Sequence, residues 1–187
     1  MKFFNNIFTT IFLAVFCLII FQTATSKTAS SQSQYFRVKS HPQFNKNFSG
    51  NTKVLDGDSI RVGDKEVRLF GLDAPEYKQT CFNAQNQEYA CGQASFEFLT
   101  KLVSGKNVRC DYSGKDKYNR FLGKCFVGEL SINQEIVKNG HAVIYNFNES
   151  DEKMDALEAT AQANKRGIWQ GAFLLPKDYR KKHPWHN

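Results

Sequence analysis

Thr52-Lys53-Val54-Leu55, Asp56-Gly57-Asp58, Ser59-Ile60-Arg61-Val62, Gly63-Asp64 and Glu66-Val67-Arg68-Leu69-Phe70-Gly71-Leu72 follow one another in the chain, and their reading decides the fold. Short runs of strand-favouring residues are separated by two turn-prone groups, Asp-Gly-Asp and Gly-Asp. Ser59-Ile60-Arg61-Val62 alternates in polarity, as a half-buried strand does. The stretch therefore predicts three short strands in a meander. Pro75 ends the run.

Residues 77–91, on the C-terminal side, are polar and read as irregular. A helix is predicted from about Gln93 to Val103, where Ala94, Phe98, Leu99 and Leu102 recur at helical spacing and Gly105 supplies a stop. Asn107-Val108-Arg109-Cys110-Asp111-Tyr112 reads as a fourth strand. Residues 120–127 read as its partner, across a loop at 113–119. Ser131, with Gln134 three residues on, has the spacing of a capping box and opens a second helix, which Gly140 closes. Ala142-Val143-Ile144-Tyr145 is extended. Ser150 is expected to cap a third helix through about Lys165, with Met154, Leu157 and Ala161 on one face and Gly167 at its end. Three strands, a helix, two strands and two helices fit an α+β domain with a mainly β core: a five-stranded OB-fold barrel with three flanking α-helices.

The chain has 187 residues, 41% apolar and 23% charged, enough for one domain over residues 47–172 with appendages. Before it, residues 27–46 are rich in Ser, Gln, Thr and Lys and read as a flexible leader. After it, residues 173–187 form a basic, aromatic C-terminal tail, read as solvated. Residues 1–26 read as a signal peptide: Lys2 is the sole charge before Lys27, residues 7–21 are apolar except for Thr9 and Thr10, and Ala24-Thr25-Ser26 offers a cleavage site. That apolar run is short for a membrane span of ~20 residues. The expected location is secreted or periplasmic, and a membrane is involved only if the segment stays uncleaved.

Removal of the signal peptide takes Cys17 and leaves Cys81, Cys91, Cys110 and Cys125, an even number suited to an oxidising compartment. Four cysteines allow three connectivities. Local pairing is expected, with Cys81–Cys91 closing a polar loop and Cys110–Cys125 bridging adjacent strands. A zinc site is disfavoured because no two of them form a C-x-x-C pair. His41, His141, His183 and His186 likewise show no metal-ligand spacing, and His141 reads as packing or surface.

A formal charge of +7 favours polyanionic partners, nucleic acid or anionic lipid. Phosphodiester hydrolysis is one chemistry done on nucleic acid. It needs cations where negative charge develops on the phosphoryl and leaving oxygens, and a water aimed in line. A hard divalent ion with oxygen ligands serves this well. Asp56-Gly57-Asp58-Ser59 and Arg68 to Glu76 supply the groups. If the meander curls into a barrel, Asp58 and Asp73 can share one cation, Glu76 can reach a water beside it, and Arg68 can face the same pocket.

Val54-Leu55-Asp56-Gly57-Asp58-Ser59, Val67-Arg68-Leu69-Phe70-Gly71-Leu72-Asp73-Ala74-Pro75-Glu76 and Asp116-Lys117-Tyr118-Asn119-Arg120 together resemble the staphylococcal nuclease (thermonuclease) family. The likeness continues through Gly140-His141-Ala142 and Lys165-Arg166-Gly167-Ile168-Trp169, and covers about residues 50–170. It implies a calcium-dependent endonuclease, a hydrolase acting on DNA and RNA at the 5′-oxygen side and leaving 3′-phosphate ends. One Ca2+ per domain would be held by Asp58, Asp73 and the main-chain carbonyl of Ala74, which stands where relatives often have Thr. The implied catalytic residues are Arg68, Glu76 and Arg120. Glu76 orients or deprotonates the attacking water, and the two guanidinium groups bind the phosphate. Lys117 and Tyr118 match the family's nucleotide-contacting segment, and Tyr145 is a candidate for the pocket wall. Asn119 replaces a common Gly, and Asn tolerates left-handed backbone. No protein partner is implied, and the chain reads as a monomer.

Each of these residues has a plainer use. Asp56 and Asp58 can be turn formers, Arg68 a solvated strand charge, Glu76 a first-turn helix residue and Arg120 a rim charge. Five such uses at matched spacing would be needed together. The alternative function is a non-catalytic, nucleic-acid-binding nuclease-like module, in which the arginine and carboxylate positions are typically lost.

Overall fold

The computed structural model describes residues 43–145 and 151–184. Its first strands, β1 (Lys46–Asp56), β2 (Ser59–Val62) and β3 (Lys65–Leu69), form the expected antiparallel meander. Ile60, Val62, Val67 and Leu69 point inward and are buried, while Arg61 and Arg68 are half-buried. A register shift between Val54 and Asp56 bends the end of β1 into the Asp56-Gly57-Asp58 turn.

β4 (Leu72–Asp73) follows directly, then a two-strand hairpin, β5 (Cys81–Phe82) and β6 (Glu88–Tyr89), inside the segment expected to be irregular. α1 (Cys91–Val103) packs on the barrel, followed by β7 (Asn107–Lys115) and β8 (Phe121–Val127). β7 pairs antiparallel with both β1 and β8. β8 then pairs in parallel with β3, Val67 opposite Phe121 and Leu69 opposite Gly123. This pairing closes β1, β2, β3, β8 and β7 into a mixed five-stranded barrel, so none of the five is left as an open edge.

β9 (Leu130–Ser131), α2 (Ile132–Lys138), β10 (Val143–Ile144), α3 (Glu152–Ala163), a 3-10 turn (Gly167–Gln170) and α4 (Pro176–Lys182) complete the fold. Ser131 caps α2 as its spacing predicts, its hydroxyl accepting from the Gln134 N–H at 3.4 Å. The cap of α3 is Asp151, whose carboxylate accepts from the N–H groups of Lys153 and Met154. Ser150 lies outside the described residues. On α1 the buried residues are Cys91, Gly92, Ser95, Leu99 and Val103, with Phe98 and Leu102 half-buried. The inward face is thus rotated slightly from the one the apolar spacing suggests.

Three boundaries differ from the sequence reading. β1 runs unbroken from Lys46, ahead of the Thr52 run, with residues 46–51 paired to β7 and Phe48 packed against the core. β7 runs on to Lys115, into the segment read as a loop. The largest difference is α4. The segment read as a solvated tail forms a helix with Pro176 in its first turn, where a missing N–H costs nothing. Pro176 and Tyr179 are buried, and the Tyr179 hydroxyl donates to the Lys78 carbonyl at 3.2 Å. A fourth helix therefore joins the three expected.

Both disulfides pair locally, Cys81–Cys91 and Cys110–Cys125. The second joins residues directly opposite in the β7–β8 register. Among the described residues no helix is long and apolar enough to cross a membrane. Residues 1–26 and most of the expected leader lie outside the described residues.

Candidate active site

The β2–β3 hairpin sets Arg68 opposite Ser59, one residue beyond Asp58. Arg68 Nη1 donates to Asp58 Oδ1, and Nη2 donates to Asp73 Oδ1 at 2.7 Å and to the Leu72 carbonyl at 3.4 Å. One planar guanidinium thus ties the turn after β1 to β4. Asp73 is held from its other side by β10, where Val143 is its register partner.

Asp58 and Asp73 are 3% and 1% exposed. The remaining contacts of Asp58 are the Ala74 N–H, donated to Oδ2 at 3.0 Å, and the Ser59 hydroxyl, donated to Oδ1 at 3.1 Å. Burial lifts the Asp58 carboxyl above the ordinary carboxylate range, against the pull of Arg68. Burial opposes the charge on Arg68, yet Asp58 and then Asp73 hold its pKa above the usual value. Asp56, in the same turn, is pushed up to about 6 by burial, with Asp58 and Glu76 adding like-charge repulsion. The site therefore gathers negative charge in a place water serves poorly.

Two glycines make this packing possible. A Cβ on Gly57 would lie 2.9 Å from the Ala74 Cβ and 3.2 Å from the Ser95 Cβ, so the Asp-Gly-Asp turn fits against Ala74 and α1 only without a side chain. A Cβ on Gly92 would lie 1.7 Å from the Glu76 carbonyl oxygen. The first turn of α1 is thus pressed on the backbone that carries Glu76. Gln79 secures the same loop from within: its Oε1 accepts from the Glu76 N–H at 3.2 Å, and its Nε2 donates to the Leu174 carbonyl at 2.7 Å.

Arg120 arrives from the start of β8. Asp116 Oδ1 accepts from the N–H groups of Tyr118 and Arg120 at 2.9 and 3.0 Å, and Oδ2 accepts from Arg120 Nε at 2.8 Å. Although burial works against it, these donors hold the Asp116 carboxyl below its ordinary range. Asn119 takes φ of 66°, the left-handed geometry expected of it. Arg120 Nη1 then donates to the Ser59 hydroxyl at 3.3 Å. Ser59 contacts Asp58 as well, so the two guanidinium groups meet around one carboxylate.

The other sequence-predicted residues lie further out. Tyr118 is 66% exposed, its ring 5.4 Å from the Arg120 guanidinium and 4.9 Å from Lys117 Nζ. Lys117 and Tyr118 thus adjoin the carboxylates only by way of Arg120. Tyr145 donates its N–H to the Gly71 carbonyl at 3.0 Å and shares with Asp73, Trp169 and Leu175 the lining of a cavity of about 400 Å3. Ala74 is buried beside Asp58.

Sequence reasoning missed Arg180. From α4 its Nη1 donates to Asp73 Oδ1 at 3.0 Å and to Glu76 Oε1 at 2.6 Å, and its Nη2 donates to Asp73 Oδ2 at 3.0 Å. Nothing local signals this, because the partners lie 107 and 104 residues away. Asp116 and Gln79 were missed for a related reason: each acts by orienting another group.

His141 is a packing residue, its ring stacked on Phe98 with centroids 4.1 Å apart. Burial, with Lys101 nearby, pushes its imidazole down to about 4. Among the described residues no three His, Cys, Asp or Glu side chains are grouped as a metal cage. Asp58 and Asp73, both buried and on either side of Arg68, are nonetheless hard-oxygen donors of the kind a calcium-type ion takes. In the present arrangement Arg68 and Arg180 neutralise them.

The profile of the family described as "Staphylococcal nuclease homologue" matches residues 66–171, more than half of the chain. A Haemophilus influenzae protein described as an uncharacterized endonuclease is 36% identical over 153 residues, which is 79% of this chain and 80% of its own. An Escherichia coli O157:H7 protein with the same description is 35% identical over 129 residues, 66% of this chain and 78% of its own. The succinoglycan biosynthesis protein ExoI of Rhizobium meliloti is 34% identical over 125 residues, 65% of this chain and 64% of its own.

Proposed function

The chain belongs to the staphylococcal nuclease family, and from that premise we propose that it is a secreted or periplasmic, calcium-dependent endonuclease cutting DNA and RNA on the 5′-oxygen side to leave 3′-phosphate ends. At the coarser level it is a nuclease, a phosphodiester hydrolase. One observation carries the finer reading: Arg68 joins Asp58 to Asp73 while Arg120 reaches Ser59 beside the same carboxylate.

Each residue has a distinct task in that reading. Arg68 and Arg120 are planar, permanently charged donors that bind non-bridging phosphoryl oxygens and stabilise charge as it builds in the transition state. Asp116 holds Arg120 in position for this. Glu76 orients or deprotonates the attacking water, on a loop kept in register by Gln79 and Gly92. Calcium, held by Asp58, Asp73 and the Ala74 carbonyl, would supply fixed positive charge beside the phosphate. Lys117 and Tyr118 extend the binding surface along the strand, where an exposed ring can stack on a base. Tyr145 forms part of the pocket wall.

Export is supported by the two disulfides, which persist in oxidising compartments. It also rests on the signal-peptide reading of residues 1–26, with a leader ahead of the folded domain.

The test uses protein purified under oxidising conditions, incubated with plasmid or single-stranded DNA in calcium, in magnesium, and in a calcium chelator. The expected result is calcium-dependent degradation, abolished by the chelator and by Glu76→Gln. A folded, disulfide-intact sample that cleaves under no metal would overturn the reading and leave a binding module.

A further inference from the structure

α4 delivers Arg180 into the site by a built route. Tyr179 is 8% exposed and donates its hydroxyl to the Lys78 carbonyl, and the segment before the helix is pinned by Gln79 at Leu174. The guanidinium that results engages both oxygens of Asp73 and one of Glu76. Asp73 is 1% exposed and Oδ1 already accepts from Arg68, so this carboxylate has little room to turn toward another cation.

The two arginines differ in how they are held. Arg68 belongs to a barrel strand and spans two buried carboxylates, with 20% of its side chain exposed. Arg180 projects from a helix of seven residues, with 29% of its side chain exposed. Of the two, Arg180 is the more exposed and the one held outside the barrel strands.

We propose that Arg180 is a built-in counter-cation and positioning residue: it holds Asp73 and Glu76 in place when no divalent ion is present, and such an ion must displace it from Asp73. The inference rests on the calcium reading above. The physical reason is that a guanidinium within hydrogen-bonding distance of a ligand carboxylate repels any further cation at that carboxylate, most strongly where water is excluded. Arg180 therefore sets a threshold of calcium concentration below which the site stays closed on itself.

The experiment is calorimetric titration of calcium into the full folded chain and into Arg180→Ala, with Arg180→Lys as a variant that keeps the charge but not the paired contacts. Calcium should bind Arg180→Ala more tightly, on the order of tenfold, with Arg180→Lys between the two. Melting curves give a second reading: Arg180→Ala should melt below the wild type without calcium, and the gap should close at saturating calcium. Equal or weaker calcium binding by Arg180→Ala would overturn the proposal, as would a gap in melting that calcium leaves unchanged. Absence of calcium binding in wild type and variants alike would overturn the calcium reading itself, and this inference with it.

Discussion

Glu76 and Gly92 are in backbone contact: a Cβ on Gly92 would lie 1.7 Å from the Glu76 carbonyl oxygen. The carboxylate proposed to aim the water is thus placed by a residue with no functional group. Gly92→Ala should force the 76–79 loop away from α1. We expect a loss of about 1–3 kcal/mol of stability, as for other overpacked sites, together with a fall in cleavage rate. Thermal melts and initial rates on one preparation check both.

Arg120 is fixed by Asp116 through Nε while its Nη1 reaches Ser59. Arg120→Lys keeps the charge and loses the fork. Cleavage should slow by roughly 10²–10³-fold, the scale of one lost transition-state donor, with little change in melting temperature. A rate within a factor of two of wild type would remove Arg120 from the proposed mechanism.

His141 gives a stability prediction independent of catalysis. In the folded chain, burial and Lys101 push its imidazole down to about 4, from an ordinary value of 6.5. Between these values the unfolded chain takes up a proton that the folded chain refuses. Stability is therefore lost as pH falls from about 6.5 toward 4, by roughly 3 kcal/mol in all. His141→Phe keeps a ring against Phe98 and cannot protonate. Its melting temperature should fall less than that of wild type between pH 7 and pH 5.

The Cys110–Cys125 disulfide closes a segment with a sequence separation of 15 across the β7–β8 pair. The double variant Cys110→Ala/Cys125→Ala should lose about 3 kcal/mol through the freed unfolded chain. Denaturant unfolding measures this. The Cys81–Cys91 bridge lies in the loop behind Glu76, so its removal should reduce rate more than barrel stability.

The sequence by itself determined the barrel strands around the Asp-Gly-Asp and Gly-Asp turns, the cap at Ser131 and the stop at Gly140, and it favoured local pairing among the three possible cysteine connectivities. These are local matters, because strand alternation, turn chemistry and capping involve residues a few positions apart. It also grouped Asp58, Arg68, Asp73 and Glu76, since they lie within 19 residues and one curled meander brings them close, while Arg120 joined them only through the family resemblance. Only the tertiary structure decided that β3 and β8 pair in parallel, that residues 46–51 pair with β7, and that the expected tail folds as α4 and sends Arg180 to Asp73 and Glu76. The choice of a pairing partner far along the chain is not written in a strand's own alternation, and a charge pair 107 residues apart leaves no periodicity to read. Such contacts exist only once closure of the chain has excluded water from the carboxylates they neutralise.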